Sequence, residues 1–182
     1  MILLGSKAPQ RTVEQHDYFF GIASSLQELV PQMYDFWPEA GSSLHIDGWR
    51  EVTNVDGYGV NIVPNEDRQP HNGKRLFFVN LGGYQSGKLQ EQHYTLLTVQ
   101  DDRKGAIKTS TMTDFFKSQS IAAVKSASAH IDEKYGVDVD EVYRIEDVLA
   151  PAIKNRYHIS LVAEAAVLPD VIHLGYFKLD KL

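Results

Sequence analysis

Leu76-Phe77-Phe78-Val79-Asn80-Leu81-Gly82-Gly83 and, after a short connection, Glu91-Gln92-His93-Tyr94-Thr95-Leu96-Leu97-Thr98-Val99 read as two β-strands. The apolar runs Leu76 to Leu81 and His93 to Val99 have the length and β-rich content of buried strands, and Gly82-Gly83 ends the first. Beyond them, Asp101 and Asp102 open a helix expected to run to about Lys117, with negative charge where the helix dipole favours it. Ile107, Met112, Phe115 and Phe116 are its expected buried residues. A last strand follows, carrying Tyr143. The order strand, strand, helix, strand is the unit from which the rest of the chain is read.

The same order stands earlier in the sequence. Gly5 and Glu14-Gln15-His16 recur as Gly82 and Glu91-Gln92-His93, 77 residues on, and Leu44-His45-Ile46-Asp47 recurs as Ala129-His130-Ile131-Asp132, 85 residues on. The second copy therefore carries an insertion, expected in the Ser, Ala and Lys-rich stretch 118 to 128, since loops accept insertions at small entropic cost. Tyr58 and Tyr143 then fall at matching distances beyond the His-Ile-Asp segments. In the first copy Ile2 to Leu4 and His16 to Ala23 are the strands, with Tyr18, Phe20 and Ile22 alternating. The helix begins at the capping box Ser25-Leu26-Gln27-Glu28 and places Leu26, Leu29, Val30, Met33 and Trp37 on one face. Pro31 is expected to kink that helix or to restart it.

These readings predict an α+β fold of two tandem strand-strand-helix-strand repeats related by a pseudo-two-fold axis, with antiparallel sheet covered by helices. Residues 1–65 form repeat 1, 66–75 a linker, 76–150 repeat 2, and 151–182 a C-terminal β-hairpin that packs on the repeats in one compact unit. The hairpin is expected to cover an edge that the duplication leaves open.

The 182 residues suffice for a substantial core without disulfides, and 43% are hydrophobic. Cysteine is absent, which excludes thiolate metal sites and cysteine nucleophiles. The net charge of −6, with no basic stripe, argues against nucleic acid and against anionic membrane surfaces as partners. No apolar run reaches the length of a signal core or a membrane span, so a cytoplasmic location is expected.

Chemistry concentrates on the histidines. His16 and His93, and His45 and His130, occupy repeated positions, and with Asp47 and Asp132 they are the candidate pocket residues. Two imidazoles and a carboxylate per copy are the inventory of a metal site, and Asp47 or Asp132 could orient the neighbouring ring. Their other reading is as hydrogen-bonding turn residues that the duplication copied. Glu14 with His16, or Glu91 with His93, would form an acid-base pair on a shared strand face, or else a solvated strand entry. Gly82 to Leu89 approaches a phosphate-binding loop, but Leu89 stands where Ser or Thr should hold magnesium and a strand follows instead of a helix. The acidic run 132 to 141 lacks calcium-loop spacing and reads as a solvated loop entering a strand. No cofactor is implied.

The Gly-Gly strand end, the Gln-His strand start and the His-Ile-Asp segment leading to a Val-Asp-x-x-Tyr-like strand resemble the small bacterial family known as domain of unknown function 1543, whose members carry one or two copies. The resemblance spans residues 1 to about 150 and is strongest over 76–148, especially Phe78 to Tyr94; the first copy departs from it, with Ser6 where the second has Gly83. It implies duplication and no activity. The chain thus reads as a small soluble binding or interaction module of uncharacterised role. The alternatives are a small enzyme or metal-binding protein using the repeated His and Asp residues, and a homo-oligomer joined through strand edges.

Overall fold

A computed structural model describes residues 1–68, 72–84, 89–118, 137–164 and 168–182. In chain order the elements are β1 (Ile2–Ser6), β2 (Gln15–Phe19), α1 (Leu26–Phe36), β3 (His45–Trp49), β4 (Asn54–Val55), β5 (Tyr58–Pro64), β6 (Arg75–Tyr84), β7 (Glu91–Gln100), α2 (Arg103–Ser110), α3 (Asp114–Ser118), β8 (Val137–Arg144), α4 (Ile145–Val148), α5 (Pro151–Lys154), β9 (Tyr157–Ala163) and β10 (His173–Lys178). The protein is α+β, and its described strand pairs are antiparallel. Among the described residues, no helix is long and apolar enough to cross a membrane. The chain divides into two compact units, 1–68 with 148–182, and 69–147.

In the first unit β1 is an inner strand of the sheet β10-β3-β1-β2. Ile2, Leu4 and Ile46 are almost wholly buried and pack with Phe19 against Leu29 and Met33 of α1. Because neighbouring strand residues point to opposite faces, Gly5, His16 and His45 lie on the face away from α1. It is Phe19, not Tyr18 or Phe20, that enters this core. The capping box forms: Ser25 Oγ accepts from the Glu28 amide at 3.4 Å, while Glu28 accepts from the Ser24 amide, one residue before the cap. Pro31 neither ends nor restarts α1 but sits inside it, on an exposed position, where it forfeits one helical hydrogen bond.

A second sheet of this unit, β4-β5-β9, begins with a tight hairpin through Asp56 and Gly57, both at positive φ, the geometry of a type I′ turn. The tail strands do not pair with each other as a hairpin. β9 runs beside β5 and β10 beside β3, so they belong to different sheets. Local pattern marks a strand, but its partner is chosen by non-local packing. β10 does cover the edge of β3. Asp170 secures the approach to β10, accepting from the Thr53 amide, the Thr53 hydroxyl and Asn54 Nδ2. The Met1 amine is buried and donates to the Arg50 carbonyl at 3.1 Å. Its pKa is lowered to about 6, chiefly by desolvation and then by the Arg50 charge, with Asp170 and Glu51 opposing.

In the second unit β6 is central to the sheet β7-β6-β8, paired with β7 from Arg75↔Gln100 to Tyr84↔Glu91. Phe77, Val79 and Leu81 form its core with Ala106 of α2. The helix expected over 101–117 is two helices. Asp102 caps α2 by accepting from the Gly105 amide, and the hydroxyls of Ser110, Thr111 and Thr113 then bond back to carbonyls three residues earlier. Such bonds compete with the helical ladder, and Thr113 Oγ1 accepts from the Phe116 amide to start α3. Ala106 and Ser110 are the buried residues of α2, and Met112 is exposed.

Candidate functional site

Cross-strand register assembles the site in the first unit. Gly5 pairs with His16 of β2 on one side and with His45 of β3 on the other. Residues directly opposite in an antiparallel sheet share a face, so two imidazoles flank a position without a side chain. Between β1 and β3 the register slips, with Leu4 opposite Ile46 and Leu3 opposite Gly48. Asp47 is the extra residue of this β-bulge, a device that re-aims a side chain. Its carboxylate folds over Gly5, where a Cβ would collide with Asp47 Oδ2 and His45 Nε2.

His45 is 4% exposed and both ring nitrogens are engaged. Nδ1 lies 2.8 Å from the Ser43 carbonyl, and since a carbonyl only accepts, Nδ1 carries the proton of that bond. Ser43 is itself held, its hydroxyl donating to the Ala40 carbonyl and meeting that of buried Ser6 at 2.6 Å. Nε2 therefore faces Glu14 Oε1 at 2.7 Å and Asp47 Oδ1 at 3.2 Å. His16 Nε2 lies 3.0 Å from Asp47 Oδ2, but out of line for a hydrogen bond, and Oδ2 is buried without a donor. The Tyr176 ring from β10 lies 4.3 Å from the His45 ring, centroid to centroid. Glu14 and His16 form the open rim, with side chains 42% and 47% exposed.

The second unit repeats part of this arrangement. Gly82 pairs with His93 of β7 and Asp138 of β8, and the register slips again, Asn80 opposite Glu141 and Leu81 opposite Val139. Asp140 is the bulged residue and covers Gly82 as Asp47 covers Gly5. His93 lies 3.5 Å from Asp140 Oδ2 and 3.7 Å from Glu91 Oε2. Asn80 donates to Asp140 and to Glu141.

The structure thus brings His16, His45 and Asp47 together in the first unit and places His93 in the second, while His130 and Asp132 lie outside the described residues. By strand register the counterpart of Asp47 is Asp140, not Asp132, and Asp138 stands at the position of His45. That register sets the two aspartates 93 residues apart, where the His-Ile-Asp alignment gives 85. Tyr58 and Tyr143 are not counterparts either, since β5 pairs with β4 and β9 whereas β8 pairs with β6. Sequence reading joined Glu14 to His16; its contact is with His45 across the sheet. Asp140 was legible only as part of an acidic run, and its signal was the Gly82 that it covers.

Residues 11–62 match the family model described as Domain of Unknown Function (DUF1543). The match lies in the first copy, whereas the resemblance in sequence was strongest over 76–148. No curated protein matches the chain. Among solved structures, the crystal structure of protein Il1583 from Idiomarina loihiensis is similar in fold, with a TM-score of 0.61 and 21% identity over 98% of this chain and 94% of that one. The stretch that carries Glu14, His16, His45 and Asp47 thus lies within the segment that matches this family model.

Proposed function

We propose that this protein is a binding module whose first unit receives a cation or a positively charged group over Gly5. One observation carries the reading. Buried His45, its Nδ1 committed to a backbone carbonyl, presents a single nitrogen to two carboxylates. A histidine kept only for folding needs one acceptor there, and a second carboxylate adds repulsion that a bound positive charge would relieve. The rim of Glu14 and His16 leaves the cluster open to solvent.

A thermal-shift panel of divalent cations, polyamines and guanidinium compounds tests it. At a hundredfold excess over its dissociation constant a ligand adds about 2.7 kcal/mol, or roughly 5–10 °C in a chain of this size. At least one compound is expected to give such a shift in the wild type and to lose it in Asp47→Asn. A panel in which no stabilisation depends on Asp47 rejects the reading.

The half-exposed His16 beside Asp47 supports a second reading, an enzyme that moves a proton with this imidazole. It requires a His16→Ala variant that binds as the wild type does but turns over no substrate.

A further inference from the structure

We infer that the group received over Gly5 is a divalent first-row transition-metal ion, held by His45 Nε2, Glu14 Oε1 and Asp47 Oδ1. The inference rests on the cation-binding reading and names its ligand.

Distances come first. Among the described residues, Glu14, His45 and Asp47 form a group whose candidate ligand atoms all lie within 4.8 Å of one another. Cis ligands around an ion with bonds of about 2.1 Å stand roughly 3.0 Å apart in octahedral and 3.4 Å in tetrahedral geometry. Nε2 stands 2.7 Å from one carboxylate oxygen and 3.2 Å from the other. Nε2 thus already stands near coordination spacing from both carboxylates, and the exposed Glu14 side chain is free of the core that fixes His45.

Orientation comes second. A metal-bound histidine characteristically gives its other N–H to a carbonyl or carboxylate, which fixes the ring and the lone pair. The His45 bond to the Ser43 carbonyl does this, and buried Ser6 holds Ser43 in turn. The Tyr176 ring limits movement of the imidazole from another side.

Donor chemistry then selects the ion. One imidazole and two carboxylates suit zinc, manganese or iron better than calcium, which prefers an all-oxygen shell, or copper(I), which prefers sulfur. Asp47 Oδ2 is buried and accepts no hydrogen bond, with the His16 ring nitrogen 3.0 Å away. Asp138 takes the register position of His45 in the second unit, so among the described residues the buried imidazole has no counterpart there, and one ion is expected at the His45 cluster.

Calorimetric titration of the chelator-stripped full chain with zinc and with manganese chloride tests the inference, alongside calcium chloride. The expected result is one zinc or manganese ion per chain, bound at least tenfold more tightly than calcium. Asp47→Asn and His45→Gln each weaken binding at least tenfold. Glu14→Gln, on the exposed rim where folding is not at risk, does likewise, and cobalt(II) absorption bands appear in the wild type and fade in this variant. The inference is overturned if neither zinc nor manganese saturates a site, if Glu14→Gln binds as the wild type does, or if calcium binds as tightly. Where both metals fail but a polyamine still stabilises through Asp47, the metal falls and the cation-binding reading stands. With no Asp47-dependent ligand, both fall.

Discussion

Asp140 folds over Gly82 so closely that a Cβ on that glycine would collide with its carboxylate. Asp47 takes the same place over Gly5, and each aspartate is the extra residue of a β-bulge. The repeated glycines are therefore kept by a cross-strand aspartate, not by a turn. Each glycine is the floor on which an imidazole from one neighbouring strand and a carboxylate from the other meet.

Gly82→Ala is expected to cost about 1–3 kcal/mol, as overpacking does, measured by urea unfolding. Adding Asp140→Ala removes the colliding group and should restore most of that loss. Equal losses in the single and double variants would show that the collision is not the cause.

Pro31→Ala is expected to stabilise the protein by about 1–2 kcal/mol. The exposed proline withholds one helical hydrogen bond. Alanine supplies the missing N–H and a better helix propensity, partly offset by the greater freedom of the unfolded chain. Lower stability in chemical denaturation would contradict this.

Stability should rise with pH between about 6 and 8. The Met1 amine has a pKa of about 6 in the folded chain against an ordinary value of 8.0. Over that interval the unfolded chain binds more protons, so unfolding becomes harder as pH increases, and below about 6 the contribution is fully lost. Two pKa units correspond to at most about 2.7 kcal/mol. Acetylating the amine should remove this rise while leaving the rest of the pH profile in place; an unchanged slope would show that another group causes it.

Much of the fold could be read from local pattern. The apolar run before Gly82 and the Ser25 capping box specify their elements through the residues they contain; the capped helix starts where expected, whereas the strand does not end at Gly82-Gly83 but runs through them to Tyr84. What escaped the reading depends on partners distant in sequence. A bulge adds a residue to one strand, so a constant sequence offset stops tracking spatial equivalence, and the His-Ile-Asp similarity pointed to Asp132 when the register equates Asp47 with Asp140. Glu14 meets His45 only because β2 and β3 both flank β1. Likewise Tyr157 to Ala163 and His173 to Lys178 announce strands but not which sheet each joins.

Anomalous diffraction from crystals grown with manganese or zinc tests the central claim most directly. The account predicts one peak per chain, about 2.1 Å from His45 Nε2 and in bonding contact with Glu14 and Asp47. A peak confined to other residues, or none at this cluster with the metal in excess, would contradict it.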